Sequence, residues 1–430
     1  MRTSKGKAKA SAVKNGIHRI YPRDIESFLD VAINAYPGMG IRSEDDRKRF
    51  HKNVLRREED PRVSTWGLYR NGKLLGGLRL FDFVMNLFGT MVPVGGGGFL
   101  SVDLEHKKVH VARDLMTFFI NRYRENGSPM AILYPFRPDF YRKMGFGYGV
   151  KFHEFRVRPH HLPDSPLRSQ VRLLTKDNIQ AVKRCHQRVA AATFGMIEEK
   201  HDVSWELMFD FPPNTKYACF VDGREVRGYL TFTFESAAPG DFLRNNIKVK
   251  RIVCNDPQAL AGLLAFLRSQ ADQIDCIILD LPEENFHFLP LDPRSRDHMF
   301  APVYHETNIS GVGLMYKIID LPAMFAVLAD HSFGDQSCTV KLKIADSFTP
   351  ANQRSYTVRF ENGRPQLLPC GKADVAIAMD IAEFSSMLMG AISFRELYRY
   401  SLAEISDEAW VSRINRLFAT ESKPVCWTDF

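Results

Sequence analysis

The stretch Phe99–Met116, FLSVDLEHKKVHVARDLM, brings cationic side chains to the point where a strand gives way to a helix. Apolar Val109, Ala112, Met116, Phe119, Ile120 and Tyr123 fall at helical spacing, which predicts a helix beginning near Lys108–Val109. The first amides of a helix have no partner within it, and the macrodipole favours an anion there. Lys107, Lys108 and Arg113 add positive charge around that point. The chemistry offered is anion binding. A solvated basic turn has the same composition, so charge alone does not separate the two readings.

A second set of candidates lies in MAILYPFRPDFYRKMGFGYG, from Met130 to Gly149. It reads as a buried strand over Met130–Tyr134, a Pro-containing loop, and a short helix ending at Gly145. Tyr141 offers a phenol beside Phe140, and of two adjacent rings one packs while the other faces a cleft. The chain ends PVCWTDF, which is aromatic and short of polar residues. Termini ordinarily fray, but this composition suits a docked end carrying the α-carboxylate of Phe430 and the side chain of Asp429.

The elements that position these groups form an α+β pattern with an internal duplication. TWGLYRNGKLLGGLRLFDF from Thr65 and KYACFVDGREVRGYLTFTF from Lys216 are both strand–turn–strand hairpins with Asn-Gly or Asp-Gly turns. The offset of 151 residues places Asn71-Gly72 on Asp222-Gly223, Gly77 on Gly228 and Val102 on Val253. VKRIVCNDPQALAGLLAFL is then the counterpart of the opening stretch. Its turn, Gln258–Leu263, lacks the cationic cluster and is preceded by Asp256, so the second copy is expected to be scaffold. From about Ile309, strands around Asn362-Gly363 and three helical segments predict a third α+β domain. Linkers are expected at Arg158–Pro166 and Leu289–Asp297. The expected divisions are a basic tail over 1–16, domains over 17–160 and 161–308, and a third over 309–430.

Composition sets the outer limits. The chain has 430 residues, 45% hydrophobic and 25% charged, which suggests about three soluble domains. It has no apolar run of the ~20 residues that cross a bilayer. The N-terminal MRTSKGKAKASAVKNG lacks the apolar core of a secretion signal and reads as a disordered tail. Five basic residues sit there (Arg2, Lys5, Lys7, Lys9, Lys14), and without them the formal +8 falls to +3. Neither a nucleic-acid partner nor a membrane is expected. Seven scattered cysteines without CxxC spacing, and histidines without HExxH, predict neither disulfides nor a metal site. His160–His161 reads as linker, and the compartment is expected to be reducing cytoplasm. Glu44, Asp45 and Asp46 either line an acidic entrance or cap a helix.

Strand, basic turn, helix, strand and an FY-x-x-x-GF segment together resemble the acetyl-CoA core of the GNAT N-acetyltransferases. LYPFRPDFYRKMGFGYG is similar more narrowly to the Eis (enhanced intracellular survival) family, which has two GNAT-like domains in tandem and a sterol-carrier-protein-like domain. GLMYKIIDLPAMF, DVAIAMDIAEFSSMLMGAISFRELY and CWTDF carry the likeness in the last third. The resemblance implies acetyl transfer from acetyl-CoA to a small-molecule amine or a lysine side chain, in a homo-oligomer that is hexameric in the family. It places the pantetheine arm along Leu100, Ser101 and Val102, and the pyrophosphate at the turn Lys107-Lys108-Val109-His110-Val111-Ala112 with Arg113. Further CoA contacts fall on Phe136 and Arg137. Tyr141 matches the general acid, and the Phe430 carboxylate matches the general base. Burial raises a carboxylate's pKa and disfavours an ammonium, which narrows the gap between them. The family turn is R/Q-x-x-G-x-G/A. Here Lys107 replaces Arg/Gln and His110 replaces the first Gly, and His110 is expected to offer its amide from a helical backbone. The alternative is a non-catalytic carrier of apolar ligands with a vestigial transferase core.

Overall fold

The computed structural model describes residues 15–210, 214–295, 299–300 and 303–430. Nearly all of the basic tail, and Arg296–Asp297 of the second expected linker, lie outside these. The chain divides into two compact units, Met1–Phe81 with Gly97–Arg122, and Asp82–Gly96 with Tyr123–Phe430.

In the first unit β1 (Gly16–Ile20) is followed by α1 (Ile25–Ala35) and α2 (Glu44–Arg57). β2 (Val63–Arg70) pairs antiparallel with β1 and with the first part of β3 (Lys73–Leu87). The β2–β3 turn has positive φ at both Asn71 and Gly72, the twist that suits a two-residue hairpin. α1 buries Ile25, Phe28, Leu29, Val31 and Ala32. α2 opens on a capping box in which Ser43 and Asp46 satisfy each other's backbone amides, so Asp46 is a helix cap. β4 (Thr90–Val102) ends in this unit and α3 (Val111–Glu125) begins there. A Cβ on Gly76 of β3 would lie 2.6 Å from the Ser101 carbonyl and 2.8 Å from Val111, so only glycine lets β3 pass beneath the start of α3. The buried residues of α3 include Val111, Leu115, Met116, Phe119 and Ile120. The helix therefore starts two to three residues later than its apolar spacing suggests, and Val109, 44% exposed, is off the packed face.

In the second unit Val94–Gly96 of β4 pair in parallel with Met130–Ile132 of β5 (Met130–Leu133). α4 (Pro138–Arg142) and β6 (Gly147–Tyr148) follow. The next strand, β7 (Lys151–Val157), does not return to β5 but joins a second sheet. That sheet is built from β8 (Val171–Leu174), β9 (Lys216–Asp222), β10 (Glu225–Ser236), β11 (Asn245–Val253) and β12 (Ile274–Leu281), with α5 (Ile179–Ala192), α6 (Asp202–Asp210) and α7 (Pro257–Arg268). After a small hairpin, β13 (Met299–Phe300) with β14 (Tyr304–His305), comes β15 (Asn308–Val312). The order is β15-β7-β12-β11-β10-β9-β8. β16 (Met315–Ile318) then enters between β5 and β6, antiparallel to both. The two copies have thus exchanged strands: β7 of the first segment serves the second sheet, and β16 crosses back.

The remainder forms α8 (Leu321–Val327), then β17 (Cys338–Ala345), β18 (Arg354–Glu361), β19 (Arg364–Leu368) and β20 (Val375–Asp380). α9 (Ile381–Leu388), α10 (Phe394–Arg399), β21 (Ala403–Ile405) and α11 (Val411–Leu417) complete it, with sheet order β19-β18-β17-β20-β21. Phe325, Phe333, Phe360, Phe384 and Phe418 pack between sheet and helices with centroids 5.6–6.4 Å apart. Lys317 of β16 and Asp346 after β17 form a fully buried ion pair at 2.8 Å. Asp346 also accepts from the amides of Phe348 and Thr349 and from Asn352 Nδ2.

The β3–β4 hairpin tip ties these parts together. Asn86 Nδ2 donates to the carbonyls of Ala190 and Ala191 at the end of α5. Phe88 stacks on Phe194 and on His331, at 4.3 and 4.1 Å.

Candidate active site

In the first unit the end of β4 is bent by Phe99, whose φ of 54° lies in the left-handed region. Tyr36 stacks on the Phe99 ring at 5.6 Å, and the Arg79 guanidinium lies over it at 5.4 Å. A left-handed residue within a strand re-aims the residues that follow it. Leu100 and Ser101 are buried, and Val102 is partly so. The Leu100 carbonyl accepts from the Tyr36 hydroxyl at 2.7 Å, and burial pushes that phenol up to about 12.

The turn follows. Asp103 accepts from the Glu105 amide, and Lys107 is extended. Lys108 and His110 have φ of 67° and 66°, with Val109 between them outside that region. The His110 carbonyl then accepts the first helical hydrogen bond, from Asp114 at 2.9 Å. The expectation of a helical His110 is corrected: it adopts the left-handed conformation that glycine enters freely, not the one a side chain prefers. Turns with left-handed residues are among those whose successive amides can converge on an anion. Histidine is among the non-glycine residues that enter this region most readily. Lys107, Lys108, Val109, His110 and Arg113 are exposed, whereas Val111 is buried and Ala112 partly so.

In the second unit Tyr141 lies on α4 and is only 4% exposed. Its ring is edge-on to Phe136, Phe140 and Phe146 at 5.6, 5.1 and 6.2 Å. Of the adjacent pair, Tyr141 is the more buried. Phe136 is exposed, and exposed Arg137 is held in a two-point pair with Asp139 at 3.1 and 2.6 Å. Arg142 pairs with buried Glu383 of α9, which anchors α4 from the C-terminal domain.

The chain's last residues are ordered against this same unit. Cys426, Trp427 and Thr428 are buried. The Phe430 ring lies 4.8 Å from Phe83 of β3 and 5.2 Å from Tyr134, just after β5. The Tyr134 hydroxyl donates to the Thr428 carbonyl at 3.3 Å. Burial first, then the neighbouring Cys426 and Asp429, hold this phenol well above its ordinary range, so it remains a donor. Thr428 Oγ1 donates to Glu199 at 2.6 Å, and Arg251 reaches both Glu199 and Asp429. Burial disfavours the Arg251 charge, but the Glu199 and Asp429 carboxylates outweigh it and raise its pKa.

The second copy presents a different helix start. Asp256 caps α7 by accepting from the Gln258 amide, and pairs with Arg227. Gln258–Leu263 lie within the regular helix. A carboxylate thus sits where an anion would bind. Neither Arg79 nor Arg251 was singled out from the sequence, although each is a cation inside an apolar strand run, in GGLRLF and KRIV. Both are buried, which requires a partner.

Models of the acetyltransferase (GNAT) domain match residues 17–149 and 195–307, and a sterol carrier protein domain model matches 325–427. The chain belongs to the GNAT acetyltransferases. An uncharacterized N-acetyltransferase of Streptomyces avermitilis is 22% identical over 87% of this chain and 89% of its own length. Among solved structures, a GCN5-related N-acetyltransferase from Anabaena variabilis shares the fold at a TM-score of 0.78 and 17% identity, over 96% of this chain and all of that one. Eis1 from Mycobacterium abscessus does so at 0.75 and 19%, with the same coverage. GNAT domains draw on acyl-CoA and deliver the acyl group to an amine. In this GNAT acetyltransferase no helix of the described residues is long and apolar enough to cross a membrane.

Proposed function

We propose that this acetyltransferase moves an acetyl group from acetyl-CoA to a small-molecule amine or a lysine side chain by direct transfer. Backbone amides of Lys107–Arg113 receive the pyrophosphate, with Lys107 and Lys108 supplying charge. Leu100–Val102 align the pantetheine arm, and Phe136 and Arg137 add contacts to CoA. The Phe430 carboxylate takes a proton from the substrate ammonium. The freed amine attacks the thioester carbonyl, a C–N bond forms, and the C–S bond breaks. Tyr141 gives its proton to the departing thiolate, and the surplus proton on the acylated nitrogen is released to restore the phenol, leaving neutral amide and CoA thiol. The proposed setting is a cytoplasmic homo-oligomer, a hexamer by family resemblance.

The observation that supports this reading is the packing of Phe430 on Phe83 and Tyr134. Aromatic pairs of this kind are worth about 1 kcal/mol each beyond their burial, enough to hold a terminus that would otherwise fray. The test is steady-state kinetics with an amine panel and thiol release as readout. Deleting Phe430, or appending a C-terminal tag, should lower kcat by about 10²–10⁴-fold while leaving the acetyl-CoA Kd in place; the deletion should lower the melting temperature slightly, by the two lost ring pairs, without unfolding the protein. Tyr141→Phe should lower kcat by a similar factor with little change in acetyl-CoA Kd. A tagged enzyme with full turnover would remove the terminal carboxylate from the mechanism.

A further inference from the structure

The second GNAT copy lacks the basic left-handed turn of the first, and the strand beside its helix start carries a bulge. In the β10–β11 ladder Thr231 faces Arg251 and Phe232 faces Val249, which leaves Lys250 as the extra residue. At the 151-residue offset Lys250 corresponds to Phe99, the left-handed residue of β4, and Arg251 corresponds to Leu100. Arg251 therefore stands at the strand position that, in a working copy, runs beside the acyl donor. What occupies its surroundings is the chain's own C-terminal segment.

The contacts are specific and buried. Arg251 is 6% exposed and Glu199 3%. Glu199 accepts from Thr428 Oγ1 at 2.6 Å and pairs with Arg251 at 3.4 Å. Arg251 extends to Asp429 at 3.6 Å, although that side chain is itself 88% exposed. Upstream, the Val425 amide donates to the Phe194 carbonyl at 2.8 Å. Gly195, at φ 82°, admits Pro424 where a Cβ would lie 2.5 Å from it. Trp427 is part of the second copy's core. Desolvating an Arg–Glu pair is costly and is offset only when further hydrogen bonds satisfy it. Here the tail supplies them.

We infer that the former donor cleft of the second GNAT copy is a receptor for the C-terminal segment, in which Arg251, with Glu199, is a positioning residue for the Phe430 carboxylate. This rests on the reading of that carboxylate as the base. Because Asp429 and Thr428 are the two residues before Phe430, fixing both leaves the terminus few ways to turn. Misplacing a reacting group by 1 Å costs about 10²-fold in rate.

The experiment uses the full-length enzyme. Thr428→Val/Asp429→Asn removes both tail-side contacts and leaves Arg251 paired with Glu199. It should lower kcat by about 10²-fold, leave KM for acetyl-CoA unchanged, lower the melting temperature modestly through the lost buried hydrogen bond, and speed carboxypeptidase release of Phe430. Arg251→Gln should act alike, with Arg251→Lys restoring part of kcat; if the Gln variant fails to fold, the tail variant still decides. Unchanged kcat and unchanged carboxypeptidase release in the tail variant, alongside an inactive Phe430 deletion, would overturn the positioning role and leave the base in place. A Phe430 deletion with full activity would overturn the base reading, and this inference with it.

Discussion

His110 replaces a glycine of the family pattern and still takes a backbone conformation suited to glycine. At φ 66° it takes the left-handed conformation that glycine enters freely, and Lys108, two residues earlier, does the same. A side chain there carries a penalty of about 1 kcal/mol. His110→Gly should therefore stabilise the protein by about 0.5–1 kcal/mol, less whatever glycine's greater unfolded-state freedom removes. Thermal melts measure the gain, and calorimetry should show acetyl-CoA affinity at least retained. A weakened affinity would mean that the imidazole, not the backbone, contributes to the turn. The apolar spacing pointed to a helix two to three residues too early because spacing registers side chains and is blind to φ.

The two helix starts, α3 and α7, are the same element put to different use. Before α3 lie two left-handed residues and exposed lysines; at α7 lies Asp256, accepting from the Gln258 amide and paired with Arg227. The cap stabilises the helix and excludes an anion. Asp256→Ala should cost about 1 kcal/mol, read as a lower denaturant midpoint. It should not create a second acetyl-CoA site, because the lysine pair and the left-handed turn are absent from the helix it opens; a binding stoichiometry of two would contradict this. The different helix start of this copy was legible in the sequence, from Asp256 and the missing lysines. The role of β11 was not, since a single arginine in a strand run does not reveal what it meets.

Across the whole molecule, the strand exchange and the buried ion pair make three sequence segments interdependent. β16 completes a sheet begun by β5, and Lys317 on it meets Asp346 of the following domain with no solvent access. Removing one partner of such a pair leaves an uncompensated buried charge. Lys317→Met should destabilise by about 3 kcal/mol, since Asp346 keeps its three N–H donors. Chemical denaturation measures it, and a change under 1 kcal/mol would show that the joint is not energetically significant. The expected linker at Arg158–Pro166 follows a strand that already belongs to the second sheet, so connectivity and packing divide the chain at different places.

The amino-acid sequence by itself determined the local elements: hairpins at Asn-Gly and Asp-Gly turns, helices from apolar spacing, the duplication at 151 residues, and the family likeness carried by Phe99–Gly149. The hairpins and helices follow from short-range sterics and periodicity; the duplication and the likeness rest on matching residues. Only the tertiary structure decided that β7 and β16 change sheets, that His110 is left-handed, and that Arg251 and Glu199 receive the tail. Those outcomes depend on contacts between residues distant in the chain, where burial turns a lone charge or a glycine into a constraint that neighbouring residues cannot reveal.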